Sequence, residues 1–207
     1  MSDKSWQLGS PETAIYGLYD GLRRRVNAKL ARYLLEKAVT SPTSVVVEAG
    51  SGPAFASSML SRDNRVALAV AMDIDLEALQ QARRRDPSLA LVVGDLRSLP
   101  FRTQGLDLTW NSSTLEHLDD PLAGLKEMVR VTREGGKIFA GLPYLSGPLG
   151  FQRWIPDTSV GVWIGTVFNL SEAKELISAA GARPSSHIVY FFRFFLGVLA
   201  DRLSGAP

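Results

Sequence analysis

The sequence predicts an α/β fold: a doubly wound, mostly parallel sheet flanked by helices on both faces. Three observations carry this expectation. Apolar runs at 45–47, 66–72, 89–93, 106–110 and 137–140 recur along the 207 residues with helical stretches between them, the alternation expected of parallel strands joined by crossover helices. Successive runs stop at Gly, Asp or Asn, where an open α/β sheet delivers its ligand contacts. The first run passes into Glu48-Ala49-Gly50-Ser51-Gly52-Pro53-Ala54, and Asp73 follows Gly52 by 21 residues. Roughly 20 residues separate the glycine turn from the acidic residue in a βαβ unit that holds a nucleotide-like ligand.

The elements follow in order. Residues 1 to about 10 are polar and expected to fray. From Pro11 to Val39, Leu22, Val26, Leu30, Tyr33 and Leu34 recur at helical spacing, and Gly17 and Gly21 suggest a break into two helices. This N-terminal helical cap, residues 1–43, precedes a single sheet domain at 44–207. Val45-Val46-Val47 suits a strand covered on both faces. Gly50 and Gly52 allow backbone angles closed to other residues and let a ligand approach the main chain. Pro53 is expected at the first position of a helix over 53–60, whose leading N–H groups suit an anionic group. Asp73-Ile74-Asp75 ends the second run, with Asp75 as the N-cap of a helix over 76–85. Gly94-Asp95-Leu96 ends the third run and Asn111-Ser112-Ser113 the fourth. Asp120-Pro121 pairs an N-cap with proline at the first helical position, opening a helix over 121–133. The fifth run follows Glu134-Gly135-Gly136.

Between Leu142 and Leu170 the alternation stops. Tyr144, Phe151, Trp154, Trp163 and Phe168 fall there among glycines and prolines. A loop of that length is expected to be functional, here as a lid insertion over 142–170; a satellite core is the alternative. Ser171 is expected to cap a helix that Gly181 ends, with a last strand over 186–192. The closing segment 194–203 reads as a strand or a short helix. If helical, Phe194, Phe195, Val198 and Leu199 share an apolar stripe, to be buried within the subunit, against a second copy or at a membrane surface.

Composition narrows the class. Hydrophobic content of 45% and charged content of 21% describe an ordinary globular protein of one domain. The sequence holds no cysteine and only two histidines, His117 and His187, which excludes disulfides, thiolate zinc sites and cysteine nucleophiles; no metal site is expected. A net charge of +2 and two arginine triplets, 23–25 and 83–85, fit solvated helix faces better than a nucleic-acid footprint. No secretory signal is visible and the longest apolar stretch is too short to span a bilayer, so a cytoplasmic protein is expected, a monomer or homodimer, with peripheral membrane contact left open.

The ordered set Glu48-Ala49-Gly50-Ser51-Gly52, Asp73, Gly94-Asp95-Leu96, Leu99-Pro100-Phe101 and Arg130-Val131-Thr132-Arg133-Glu134-Gly135-Gly136 resembles the class I S-adenosylmethionine-dependent methyltransferases. More narrowly, it is similar to the small-molecule group that includes the ubiquinone and menaquinone biosynthesis enzymes. The likeness covers about half of the chain, and its specificity lies in the order and spacing of the motifs. Ala54 departs from the pattern, standing where the family often has a third glycine.

The resemblance implies a Rossmann-like domain that binds S-adenosylmethionine and transfers its methyl group to a small-molecule acceptor. On matching positions it implies that Gly50 and Gly52 meet the methionine part of the cofactor and that Glu48 attracts its amino group. Asp73 accepts from the ribose hydroxyls, with Asp75 as the competing residue. Ile74 covers the adenine, Asp95 accepts from its exocyclic amine and the Leu96 N–H reaches a ring nitrogen. Asn111 lies where the family uses backbone carbonyls near the sulfonium. Glu48, Asp73 and Asp95 could also serve only to end strands. His117 is the candidate base, with a capping or packing role as the alternative. Tyr16, Tyr19, Tyr144 and Trp154 are the candidate acceptor-pocket residues. The competing functions are an RNA or protein methyltransferase, a nicotinamide-dependent oxidoreductase and a non-catalytic cofactor-binding regulator. Asn111-Ser112-Ser113-Thr114 lacks the Pro-Pro-aromatic motif of base-amino methylation, and Glu48 and Asp95 fit a nicotinamide site poorly.

Overall fold

The computed structural model describes residues 14–148, 150 and 166–205. Helix α1 (Ala14–Lys37) leads into β1 (Ser44–Ala49), α2 (Phe55–Leu60), β2 (Val66–Asp73), α3 (Leu76–Arg85), β3 (Ala90–Val93) and β4 (Leu106–Ser112). A 3-10 turn (Leu115–His117), α4 (Pro121–Val131), β5 (Thr132–Pro143), α5 (Leu170–Ala179), β6 (Ala182–Tyr190) and β7 (Phe195–Arg202) complete the described elements. One seven-stranded sheet has the order β3-β2-β1-β4-β5-β7-β6. β1 to β5 run parallel to their neighbours, and β7 lies antiparallel between β5 and β6. The chain winds outward from β1 to β3, then returns to β4 on the other side of β1. The strand order reverses between β1 and β4, so the crevice opens at their C-terminal ends.

The period of two along each strand divides the core into two layers. Val47 and Ala49 face the layer holding Leu125, Met128 and Val129 of α4 and Ala173 and Ile177 of α5. Val46, Leu108 and Trp110 face the layer holding Leu30 and Leu34 of α1 and Leu60 of α2. Burial on both faces is why Val45-Val46-Val47 reads as an unbroken apolar run.

Local chemistry sets several boundaries. The Asp75 carboxylate accepts from the backbone N–H groups of Glu77 and Ala78, and that of Asp120 from Leu122 and Ala123 with Pro121 at the first helical position. The cap of α5 is Asn169, not Ser171: Asn169 and Glu172 exchange side-chain-to-backbone hydrogen bonds in a capping box. Gly17 and Gly21 do not divide α1, which runs unbroken; each glycine costs about 1 kcal/mol in a helix, a penalty the packed residues after it can carry. α4 ends at Val131 and β5 begins at Thr132, earlier than the apolar run 137–140 suggested, because Thr132 already pairs with Leu106 before the register shifts.

The closing segment is a strand. Phe195–Arg202 pairs along its length with both β5 and β6, and the preceding strand ends at Tyr190, not Phe192. A central strand covered on both faces has no alternation to distinguish it from a buried helix, which is why its sequence pattern was ambiguous. Gly197 and Gly141 make room on this part of the sheet: a Cβ at Gly197 would overlap the Phe139 ring, and one at Gly141 the Tyr190 hydroxyl.

Candidate functional site

The turn after β1 is held by main-chain bonds and one carboxylate. Gly50 N and Ser51 N both donate to Met72 O, at 2.8 and 2.9 Å. Gly52 N donates to Asp73 Oδ2 at 2.6 Å, while Asp73 Oδ1 accepts from Asp75 N at 2.8 Å. Asp73 therefore ties the glycine turn to the end of β2 and keeps further lone pairs on both oxygens. Gly50 and Gly52 have φ of 79° and 51°, values that favour glycine. Their surroundings differ. A side chain at Gly50 would meet Thr114, whereas nothing lies within 4 Å of the Cβ direction at Gly52. The turn ends in Ala54, also left-handed at φ 56°, and α2 starts only at Phe55. Pro53 thus lies before the helix and not at its first position; Arg85 donates to its carbonyl at 2.5 Å.

Glu48 is buried, and its Oε2 accepts from the Ser57 backbone N–H at 3.3 Å and from its hydroxyl at 2.5 Å. This carboxylate fastens α2 to the end of β1. Ile74 is 67% exposed beside Asp73, an apolar face at the mouth of the crevice. Asp95 is gripped by Arg97, whose Nε and terminal nitrogen reach its carboxylate and whose backbone N–H donates to Oδ1 at 2.8 Å. The guanidinium beside it holds the Asp95 carboxyl below its ordinary range. Leu96 is buried. The loop that follows is clamped from α4: Leu99 N donates to Glu127, and Arg130 donates to the carbonyls of Leu99 and Phe101. Arg97 and Glu127 had no distinguishing mark in the sequence, and Arg130 stood out only as part of the Arg130–Gly136 motif, since each bond spans a turn or crosses to another element.

The Asn111 side chain is committed within the protein. Its Nδ2 donates to Ala49 O across the β1–β4 junction and its Oδ1 accepts from Leu115 N at 3.4 Å. Thr114 then folds back to donate to Gly50 O at 3.2 Å. In the 3-10 turn the two ionisable neighbours part: the His117 side chain is 38% exposed and that of Glu116 1%. Burial lowers the His117 pKa and pushes the Glu116 carboxyl up to about 7. Ser113 Oγ donates to Glu116 Oε1 at 2.8 Å, but the buried Oε2 has no hydrogen-bond partner. Sequence reasoning singled out His117 and passed over Glu116; two adjacent polar residues give no local sign of which one turns inward.

Across the sheet, the Tyr190 hydroxyl meets Ser112 Oγ at 2.6 Å. Burial raises the Tyr190 pKa, and the charges of Glu116 and Glu48 raise it further. Tyr190 belongs to a run of ring contacts on the α1 side that links Tyr33, Phe139, Tyr190, Phe195 and Phe191. Of the expected pocket residues, Tyr16 and Tyr19 fall on the first turns of α1 with side chains outside the described residues, as is all of Trp154. Tyr144 packs partly buried on the α4–α5 layer. Its N–H donates to Phe194 O at 2.8 Å, and Phe168 N donates to Pro143 O at 2.9 Å. The two ends of the 142–170 segment are therefore stitched side by side. Among the described residues there is no cluster of three or more metal-ligating side chains, and no helix is long and apolar enough to cross a membrane.

Residues 47–140 match the methyltransferase domain family. The malonyl-[acyl-carrier protein] O-methyltransferase of Herminiimonas arsenicoxydans is 33% identical over 129 residues, which cover 62% of this chain and 47% of that protein. The demethylmenaquinone methyltransferase of Beutenbergia cavernae is 30% identical over 143 residues, covering 64% and 59%. The chain thus matches about half the length of these relatives. Magnesium protoporphyrin IX methyltransferase from Synechocystis, solved with bound S-adenosylhomocysteine, superposes with a TM-score of 0.71 at 13% identity, covering 97% of this chain and 92% of that one. That likeness establishes the fold.

Proposed function

We propose that the chain, whose residues 47–140 match the methyltransferase domain family, is a class I S-adenosylmethionine-dependent enzyme that methylates a small molecule. The observation that carries this reading is the Gly52–Asp73 junction: a carboxylate with spare lone pairs beside a glycine whose outward side is open. Asp73 accepts from the ribose hydroxyls, Ile74 covers the adenine and Gly50 and Gly52 admit the methionine part. Glu48 attracts the amino group while it fastens Ser57. Asp95 and the Leu96 N–H meet the adenine edge, with Arg97 setting the direction of the Asp95 carboxylate. Asn111 contributes its backbone, its side chain being engaged with Ala49 and Leu115. His117, the candidate base singled out from the sequence, stays half exposed in the 3-10 turn, and its neighbour Glu116 is the group turned inward.

The bound cofactor supplies an activated methyl on a sulfonium, so the chain's own task is orientation and exclusion of water. Holding two reactants in line can supply roughly 7–11 kcal/mol of a barrier. In this reading Tyr144 meets the acceptor, while the candidates Trp154 and the side chains of Tyr16 and Tyr19 lie outside the described residues; the N-terminal cap and the sheet domain act as one unit, in the cytoplasm, as monomer or homodimer. The relatives named above act on a malonyl group borne by acyl-carrier protein and on demethylmenaquinone. Calorimetric titration with S-adenosylmethionine, S-adenosylhomocysteine and NAD tests the reading. Binding of the first two and not the third is expected; preference for NAD would overturn it.

A further inference from the structure

We propose that Glu116 recognises the methyl acceptor, accepting a hydrogen bond from its hydroxyl and then the hydroxyl proton, so that the acceptor presents a neutral hydroxyl and not a carboxylate. This rests on the methyltransferase reading above.

The geometry points there from three sides. Glu116 follows the C-terminal end of β4, one residue past Leu115 and two past Thr114, which donates to the carbonyl of Gly50 in the cofactor turn. Its charge bears on Tyr190, whose hydroxyl meets Ser112 at the same strand end. Glu116 therefore lies near both the turn and the buried Tyr190, whose ring packs with Phe139 and Phe195 in the core. Its Oε1 is satisfied by Ser113, yet Oε2 is buried and unpartnered. Buried polar atoms are nearly always hydrogen-bonded, and an orphan at a crevice calls for a partner. A carboxylate oxygen needs a donor, so a hydroxyl fits and a second carboxylate does not.

The charged and titratable surroundings agree. His117 Nε2 lies 3.9 Å from Glu116 Oε1. Glu48 is the second acidic group that bears on Tyr190. α4 meets the 3-10 turn through Gly124 under Leu115 and Leu118, and β5 through Gly141 O, which accepts from Ser113 N. Neither of these contacts brings a cation. An anionic acceptor would thus meet the Glu116 carboxylate itself, a like-charge arrangement that costs affinity. In the transfer, an oxygen lone pair forms the new bond to the methyl carbon, the pair of the sulfur–carbon bond returns to sulfur, and the hydroxyl proton passes to Glu116 Oε2. The positive sulfonium and negative carboxylate are both neutral afterwards, so charge and atoms balance. Burial raises the affinity of Glu116 for a proton, which suits it to take one near neutral pH.

The test measures binding of 1-naphthol and of 1-naphthoate by calorimetry at pH 8 in saturating S-adenosylhomocysteine. Wild type is expected to prefer the naphthol by at least about tenfold, the factor of one hydrogen bond. Glu116→Gln should reduce that preference to below about threefold while S-adenosylhomocysteine affinity, the check on folding and on the cofactor site, is unchanged. In wild type the preference should also shrink as pH falls below about 7, where Glu116 holds its proton. Equal or tighter binding of naphthoate, binding of neither probe, or a preference that survives both Glu116→Gln and acidification overturns the proposal. Failure of wild type to bind S-adenosylhomocysteine would instead overturn the methyltransferase reading itself.

Discussion

The backbone N–H of Gly52 donates to Asp73 Oδ2 at 2.6 Å, joining the turn after β1 to the end of β2. One carboxylate thus shapes the loop proposed to hold the methionine part of the cofactor, and the same carboxylate is the proposed ribose acceptor. Under that proposal binding and local stability are coupled at this residue.

Asp73→Ala should weaken S-adenosylhomocysteine binding roughly 5- to 150-fold, the range of about 1–3 kcal/mol for a lost polar contact. The same change leaves Gly52 N and Asp75 N without their acceptor, so a lower melting temperature should accompany it. Asp73→Asn keeps one carbonyl oxygen and should lose less on both counts. Calorimetry and thermal melting of the two variants check this. Unchanged affinity in Asp73→Ala would move the ribose contact to Asp75.

The turn contains a built-in comparison of left-handed residues. Ala54→Gly should stabilise the protein by up to about 1 kcal/mol, because the left-handed penalty of ~1–2 kcal/mol for alanine exceeds the ~0.5–1 kcal/mol of added chain freedom. Gly50→Ala should destabilise by at least about 2 kcal/mol, since it adds that penalty to an overlap with Thr114. Urea unfolding of both variants gives the signs directly.

Glu116 makes stability fall as pH rises. Burial lifts its pKa from 4.5 to about 7, so between those values the folded protein keeps a proton that the unfolded chain releases. The folded state then binds more protons, and unfolding free energy declines through this window by on the order of 3 kcal/mol at most. Chemical denaturation from pH 4.5 to 8 should show the decline in wild type and its loss in Glu116→Gln, which should be the more stable protein at pH 8.

The cap of α5 can be tested against its neighbour. Asn169→Ala removes one half of the capping box and should cost about 0.5–2 kcal/mol. Ser171→Ala, already inside the helix, should change stability by less than about 0.5 kcal/mol. Denaturation midpoints of the two variants decide which residue starts the helix.

Much of the architecture was legible because it is written in short-range chemistry. Three valines before Glu48, the glycines of the turn, the spacing to Asp73, and Asp75 and Asp120 as helix caps each need only neighbours a few residues away, and they predicted a parallel sheet with helices on both faces. The closing segment was not legible. Phe195–Arg202 becomes a strand by pairing with β5 and β6, distant in sequence, and a run buried on both faces carries no period to announce it.

Within the candidate site the same division holds. Sequence alone determined which residue types stand at the strand ends and turns and in what order, because strand ends and glycine turns set those positions locally. Tertiary structure decided what each side chain touches. It bound Asn111 to Ala49 and Asp95 to Arg97, and it turned Glu116 inward while His117 stayed half exposed. It also required Ala54 to adopt a left-handed backbone. These outcomes depend on where separate elements meet, and burial, which sets the cost of an unpaired carboxylate, exists only once they have packed.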